Sequence, residues 1–246
     1  MLWILLFNLI FGSSGNLFLI PKFEKYTKKH VQDKERVDQI LDLRKQTKKR
    51  KKKEVKTHKA FIKTFQKQLL QQNVTAEALN QMVDQRMVLY KGEKQQELGE
   101  HLEMKQLIHE SEWNNIVEAI NGDFKKMLKL QQKEEKKLAN RFDRLINSCR
   151  CINSSDKMQE VQVYIENMKT AYLDNRKQFY QHMLPENKKL LQYSISSAKL
   201  ETELEYIHAL QVKQFQLCIE MQQFLAARTT ASEWNRIKGK LKKILI

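Results

Sequence analysis

Glu205-Tyr206-Ile207-His208 sets a carboxylate and an imidazole one helical turn apart. Dinuclear iron helix bundles ligate metal with this Glu-x-x-His spacing, but they need a second copy of it and further inward glutamates. The segment 121 residues earlier, Asp84-Gln85-Arg86-Met87, keeps a carboxylate and lacks the imidazole. His30, His58, His101, His109 and His182 form no ligand set around it. Cys149-Arg150-Cys151 is too short for a zinc-knuckle pair and has no matching second pair. With Cys218 the thiols number three, which leaves at least one unpaired in a monomer and makes no disulfide framework. A glycine-rich phosphate loop, a nucleophile elbow and a His-Glu-x-x-His motif are all absent from the sequence. These residues point away from an enzyme and imply no cofactor and no metal.

The residues with an evident use are cations. The net charge is +16, and residues 22–60 hold sixteen Lys/Arg against six Asp/Glu. Arg44 to Lys53 carries eight basic residues in ten. Such a field attracts acidic protein segments, anionic lipid or nucleic acid. The partner-binding set expected from it is Lys48, Lys49, Arg50, Lys51, Lys52 and Lys53. A solvated helix face with no partner is the competing reading, and Lys48–Lys53 also has the form of a nuclear-localisation run.

The element that carries these cations must be a helix. Six glycines and two prolines serve 246 residues, and no proline lies between Pro21 and Pro185. Abundant Gln, Lys, Glu and Leu favour long helices, and no alternating run of β-branched residues competes. The fold class is all-α. Val37, Ile40, Leu41 and Leu43 open a helix that runs through the basic stretch to Leu69. Asn73-Val74-Thr75 breaks it, with Thr75 as N-cap of the next. Ser111 is expected to cap a short helix bearing Trp113, Ile116 and Ile120, which Asn121-Gly122 would end.

The four letters Ser-Glu-Trp-Asn occur at Ser111–Asn114 and again at Ser232–Asn235. At the same spacing, Leu69-Leu70-Gln71-Gln72-Asn73-Val74-Thr75 precedes Leu190-Leu191-Gln192-Tyr193-Ser194-Ile195-Ser196. Leu79 then matches Leu200, Val83 Leu204, Leu98 Ile219, Ile116 Ile237 and Ile120 Leu241. Two markers at one spacing predict a duplication, with two tandem helical-hairpin units of long helices at 22–148 and 157–246 and a connector at 149–156. Trp113 and Trp234 should occupy matching, largely buried positions.

Residues 1–21 carry no charged side chain. Leu2–Phe11 has the length of a signal-peptide core, and Gly12-Ser13-Ser14-Gly15 supplies small residues for cleavage. A retained anchor through residues 1–20 is the other reading, since twenty residues at helical rise span about 30 Å. Either puts the chain outside the cytoplasm, with membrane association in the second case; a soluble core helix, which would need a partner covering it on all sides, is the third reading.

With the helix order in hand, the first unit resembles the Spy/CpxP family of periplasmic chaperones. Ala76–Glu110, rich in Gln, Glu, Lys and Met, is similar to that family's charged helix. His109-Glu110-Ser111-Glu112-Trp113-Asn114 stands where a Leu-Thr-x-x-Gln-type element would start the following helix, Ser111 taking the threonine's capping role. The glutamine is absent, Trp113 replaces the usual apolar pattern, and Thr230-Ala231-Ser232-Glu233-Trp234 departs further. The resemblance implies a periplasmic or membrane-anchored extracytoplasmic, ATP-independent holdase without catalytic residues. Lys48–Lys53 would steer acidic clients, with Met82, Met87 and Met104 as adaptable contacts. A helical scaffold that binds partner helices is the structural alternative, nucleic-acid binding is the third reading, and self-association into a homo-oligomer is a further option.

Overall fold

A computed structural model describes residues 22–183 and 192–244. The apolar segment 1–21, with the signal-peptide and anchor readings that fall on it, lies outside the described residues. The fold is all-α: α1 Phe23–His30, α2 Lys34–Leu69, α3 Ala76–Leu107, α4 Glu110–Ser148, a 3-10 turn Cys149–Cys151, α5 Ser155–Met183, α6 Ser197–Arg228 and α7 Ala231–Ile244. None of the described helices is long and apolar enough to cross a membrane.

Helix boundaries recur at the spacing of the Ser-Glu-Trp-Asn marker. Lys34 and Ser155 open α2 and α5, Glu110 and Ala231 open α4 and α7, and α3 and α6 match at both ends. The capping chemistry recurs with them. Thr75 Oγ1 accepts from the Ala78 amide (3.2 Å) as Ser196 Oγ does from Lys199 (3.3 Å). Asp33 Oδ1 accepts from the Arg36 amide (3.1 Å) as Ser154 Oγ does from Lys157 (3.4 Å). A side-chain oxygen at these positions satisfies an amide that the helix leaves without a carbonyl.

Ser111 is not a cap. It is exposed and lies inside the first turn of α4, whose flanking residue is His109. There the Glu112 carboxylate reaches back to the His109 amide (2.9 Å). Glu233 does the same to Thr230 (2.8 Å), and Thr230 Oγ1 accepts from the Glu233 amide (3.3 Å), completing a capping box. Nor does Asn121-Gly122 end a helix, because α4 runs unbroken to Ser148. One helical glycine costs about 1 kcal/mol relative to alanine. Buried Trp113, Ile116 and Ile120 before it and Leu138, Phe142 and Leu145 after it outweigh that.

The described residues pack into two compact units, each drawn from three stretches. One holds residues through Lys59 with Leu89–Lys129 and Tyr180–Ala209; the other holds Ala60–Val88, Leu130–Phe179 and Leu210–Ile246. This division cuts across the long helices and so differs from a sequential split at the 149–156 connector. The first unit is centred on Phe23, Ile40, Met104, Ile108, Trp113, Ile116 and Ile120. The second is centred on Phe65, Leu69, Leu79, Phe142, Val161, Met221, Leu225, Trp234 and Ile237.

Each unit contains a helix–helix turn from the other half of the sequence. In the second unit, Gln72 Nε2 donates to the carbonyls of Ala226 (3.3 Å) and Thr229 (2.7 Å). Gln222 donates to the Gln71 carbonyl (2.9 Å) and Trp234 Nε1 to that of Leu70 (3.1 Å). In the first unit, the Tyr193 hydroxyl donates to the Lys105 carbonyl (3.4 Å) and Lys105 Nζ to that of Ile195 (3.3 Å). Tyr193 stands 121 residues after Gln72, and Ala226 stands 121 after Lys105. The same bridge is therefore made twice with different side chains.

Candidate binding face and buried charge cluster

The basic run divides by helical phase. Leu43, Thr47, Lys51, Val55 and His58 of α2 follow one another at three- and four-residue steps and are buried, a face fixed by the apolar residues at its ends. Lys45, Lys48, Lys49, Lys52, Lys53 and Lys56 consequently point outward and are exposed. The expected six-residue set is therefore split: Lys48, Lys49, Lys52 and Lys53 share the exposed face, while Arg50 and Lys51 turn inward.

Arg50 meets Glu100 through two hydrogen bonds, both 2.6 Å, and also pairs with Glu54 one turn ahead. Lys51 Nζ lies 2.9 Å from both Glu97 Oε2 and Glu54 Oε2. Lys94 reaches the same Glu97 oxygen at 2.8 Å and stands over the Tyr90 ring at 5.0 Å. Three cations thus face three carboxylates in the interior of the first unit, and Lys51 and Glu97 are each only 3% exposed. Burial works to raise the Glu97 carboxyl, but Lys51 and Lys94 outweigh it and hold it at about 2. Burial also pushes Lys51 down to about 8, against the pull of Glu97. Neither inward cation is available to a partner in solution.

The second unit carries an apolar version of this interior. At the positions equivalent to Lys51 and Glu97 stand buried Tyr172 and Cys218. At that of Lys94 stands buried Phe215, and at that of His101 buried Gln222. The partners Glu54, Glu97 and Glu100 were not legible as such in the sequence. The available signal was that Lys51 shares its phase with Leu43 and Val55, which places a cation on the core side and demands carboxylates there.

Buried His101 sets an acid-sensitive point in the first unit. Its ring meets Trp113 edge-on at 5.5 Å between centroids. Burial, helped by Lys105 and opposed by Glu97, pushes its pKa from 6.5 down to about 4. The unfolded chain then takes up this proton first, so stability should fall as pH drops from about 6.5 toward 4. Replacing His101 by Gln, the residue its equivalent position already carries, should flatten that part of the profile. Urea unfolding midpoints across the range measure it, and an unchanged slope in H101Q would contradict the assignment.

The remaining candidates fall elsewhere. Met104 is fully buried, Met87 is buried and Met82 half-buried, so these methionines serve packing rather than an exposed adaptable surface. Cys149 and Cys218 are buried and pushed up to about 12, mainly by desolvation, which makes both thiols poor nucleophiles. Cys151 is half-buried, and all three cysteines are free thiols. Among the described residues no three His, Cys, Asp or Glu side chains converge on a metal position. Glu205 and His208 instead line a cavity with Lys91, Lys94, Gln95, Leu98, Glu201 and Leu204. No family model, curated protein or solved structure matches this chain.

Proposed function

We propose that this chain is a non-enzymatic helical binding protein, built on a duplicated helical unit, that captures acidic protein segments on the outward lysine face of α2. The observation that carries the reading is the split of the basic run. The inward cations are matched by Glu54, Glu97 and Glu100, whereas Lys45, Lys49, Lys52, Lys53 and Lys56 make no ion pair among the described residues. A rigid helix that keeps its outward charges unmatched presents a regular cationic stripe to an extended or helical anion.

Export or membrane attachment through residues 1–21 belongs to this reading, and so does its chaperone form, in which captured clients are held without ATP. Holding needs apolar side chains beside the lysines. The exposed large apolar side chains among the described residues are Val88, Leu89, Val163 and Tyr206, none of them on α2. Charge is therefore the primary contact in this account, and retention of apolar client surface is secondary to it.

Poly-L-glutamate serves as a probe for the full chain. Exposed charges are screened over about 8 Å at physiological ionic strength, so the affinity should fall about tenfold or more between about 0.05 and 0.2 M salt. Affinity that stays flat over this range would remove electrostatics as the driver. Duplex DNA bound more tightly than poly-L-glutamate at equal salt would transfer the reading to nucleic acid.

A further inference from the structure

The first unit contains a cavity of about 280 Å³ whose walls come from α3 (Lys91, Lys94, Gln95, Leu98) and α6 (Glu201, Leu204, Glu205, His208). The equivalent place in the second unit shows what kind of group this geometry accepts. There Val83, Met87, Phe215 and Ile219 stand at the positions of Leu204, His208, Lys94 and Leu98, and all four are buried in one core. The Phe215 ring meets Phe65 edge-on at 5.3 Å and Phe61 at 5.6 Å. In the first unit, Lys94 replaces that phenyl group and turns to Glu97 at 2.8 Å. The position of Lys94 thus carries an aromatic ring in the second unit, and beside Lys94 in the first unit lies this cavity, floored by Leu98 and Leu204 and bordered by the His208 ring, which stacks on Tyr90 at 5.7 Å.

The rim supplies the second half of the argument. Lys91, Glu201 and Glu205 are exposed at the cavity mouth, and none of them forms an ion pair with another described residue. One ammonium and two carboxylates set around a cavity with an apolar floor complement a small zwitterion rather than an anion or a purely apolar molecule. We infer that this cavity binds an α-amino acid with an aryl side chain. The ring lies against Leu98 and Leu204, the ammonium faces Glu201 and Glu205, and the carboxylate faces Lys91. This site is independent of the lysine face of α2.

The test titrates the full chain with L-phenylalanine, L-alanine and uncharged N-acetylphenylalaninamide, following the methyl resonances of Leu98 and Leu204. L-Phenylalanine should give saturable shifts in the millimolar range, and L-alanine should bind about tenfold more weakly or worse, because the buried ring supplies most of the affinity. The blocked amide should bind about threefold more weakly or worse, as should L-phenylalanine to Glu205→Gln or Lys91→Gln, since exposed ion pairs contribute modestly. Both substitutions are at exposed positions and leave the core untouched. Lys94→Phe should refill the cavity and abolish the shifts. Equal binding of free and blocked phenylalanine would overturn the zwitterion and leave a docking point for an aromatic residue of a polypeptide. Equal binding of alanine, or no saturable shift with L-phenylalanine, would overturn the site.

Discussion

Glu97→Ala is expected to lower the stability of the chain by about 3–5 kcal/mol, a loss typical of breaking a buried ion pair from one side. Glu97 Oε2 is shared by Lys51 and Lys94, so its removal leaves two interior ammonium groups with less than they need. Lys51 retains Glu54 at 2.9 Å, and Lys94 retains the face of Tyr90. Desolvation that the cluster now offsets would then act against folding. The triple variant Lys51→Tyr, Lys94→Phe, Glu97→Cys installs the residues found at the equivalent positions of the second unit. It should recover much of the loss, because an apolar set of similar volume avoids the desolvation altogether. Urea unfolding of the three proteins gives the comparison. Glu97 also adds an acid-dependent part to stability. Its carboxyl is held near 2 in the folded chain against 4.5 ordinarily, so this contribution is complete above about 4.5 and is lost as pH falls toward 2. Glu97→Ala should lack that decline. A loss within 1 kcal/mol of zero would mean that the cluster is solvated and that Lys51 and Lys94 are not held by this carboxylate.

Trp113→Ala and Trp234→Ala should each cost about 3–5 kcal/mol, the range for truncating a fully buried large aromatic side chain. Their exposures are 0% and 3%. Each sits in the first turn of its helix, where the amide bonds back to the carbonyl of His109 or Thr230 at 2.8 Å in both cases. The Trp113 ring is met by His101 and by Tyr193 at 6.1 Å, and Trp234 Nε1 donates to the Leu70 carbonyl. Trp234→Phe should therefore lose about 1 kcal/mol more than packing alone explains, through a carbonyl deprived of its donor. Guanidinium unfolding measures all three. Either alanine variant remaining within 1 kcal/mol of the parent would deny that tryptophan its place in a core.

Much of this architecture could be read from letters. Sparse Gly and Pro with abundant Gln, Lys, Glu and Leu gave the all-α class, and Thr75 announced its own cap. The spacing of Ser111–Asn114 and Ser232–Asn235 anticipated matching positions for Trp113 and Trp234, and the bonds at Thr75 and Ser196 repeat at that spacing. Other features were illegible for physical reasons. Asn121-Gly122 has a turn composition, but a local preference of about 1 kcal/mol yields to burial of the residues around it. Periodicity states which residues face inward and not what they face. Nothing in the spacing of Gln72 or Trp234 disclosed that the turn before α3 packs against α6 and α7. The run Arg44–Lys53 looked uniform because composition ignores phase. Laid on a helix, Lys51 falls between Leu43 and Val55 on the buried face, and only the tertiary fold brings Glu97 and Glu100 to it.

Binding of poly-L-glutamate to two charge-matched variants of the full chain tests the central claim most directly. One variant changes Lys48, Lys49, Lys52 and Lys53 to Gln on the outward face of α2; the other changes Lys238, Lys240, Lys242 and Lys243 to Gln on α7. Both lose four positive charges, so any effect of net charge is the same in each. If the face of α2 is the binding surface, dissociation constants at low salt should rise about tenfold or more in the first variant and change by less than about threefold in the second. Equal weakening in the two variants, or none in the first with its helical content intact, would contradict the account.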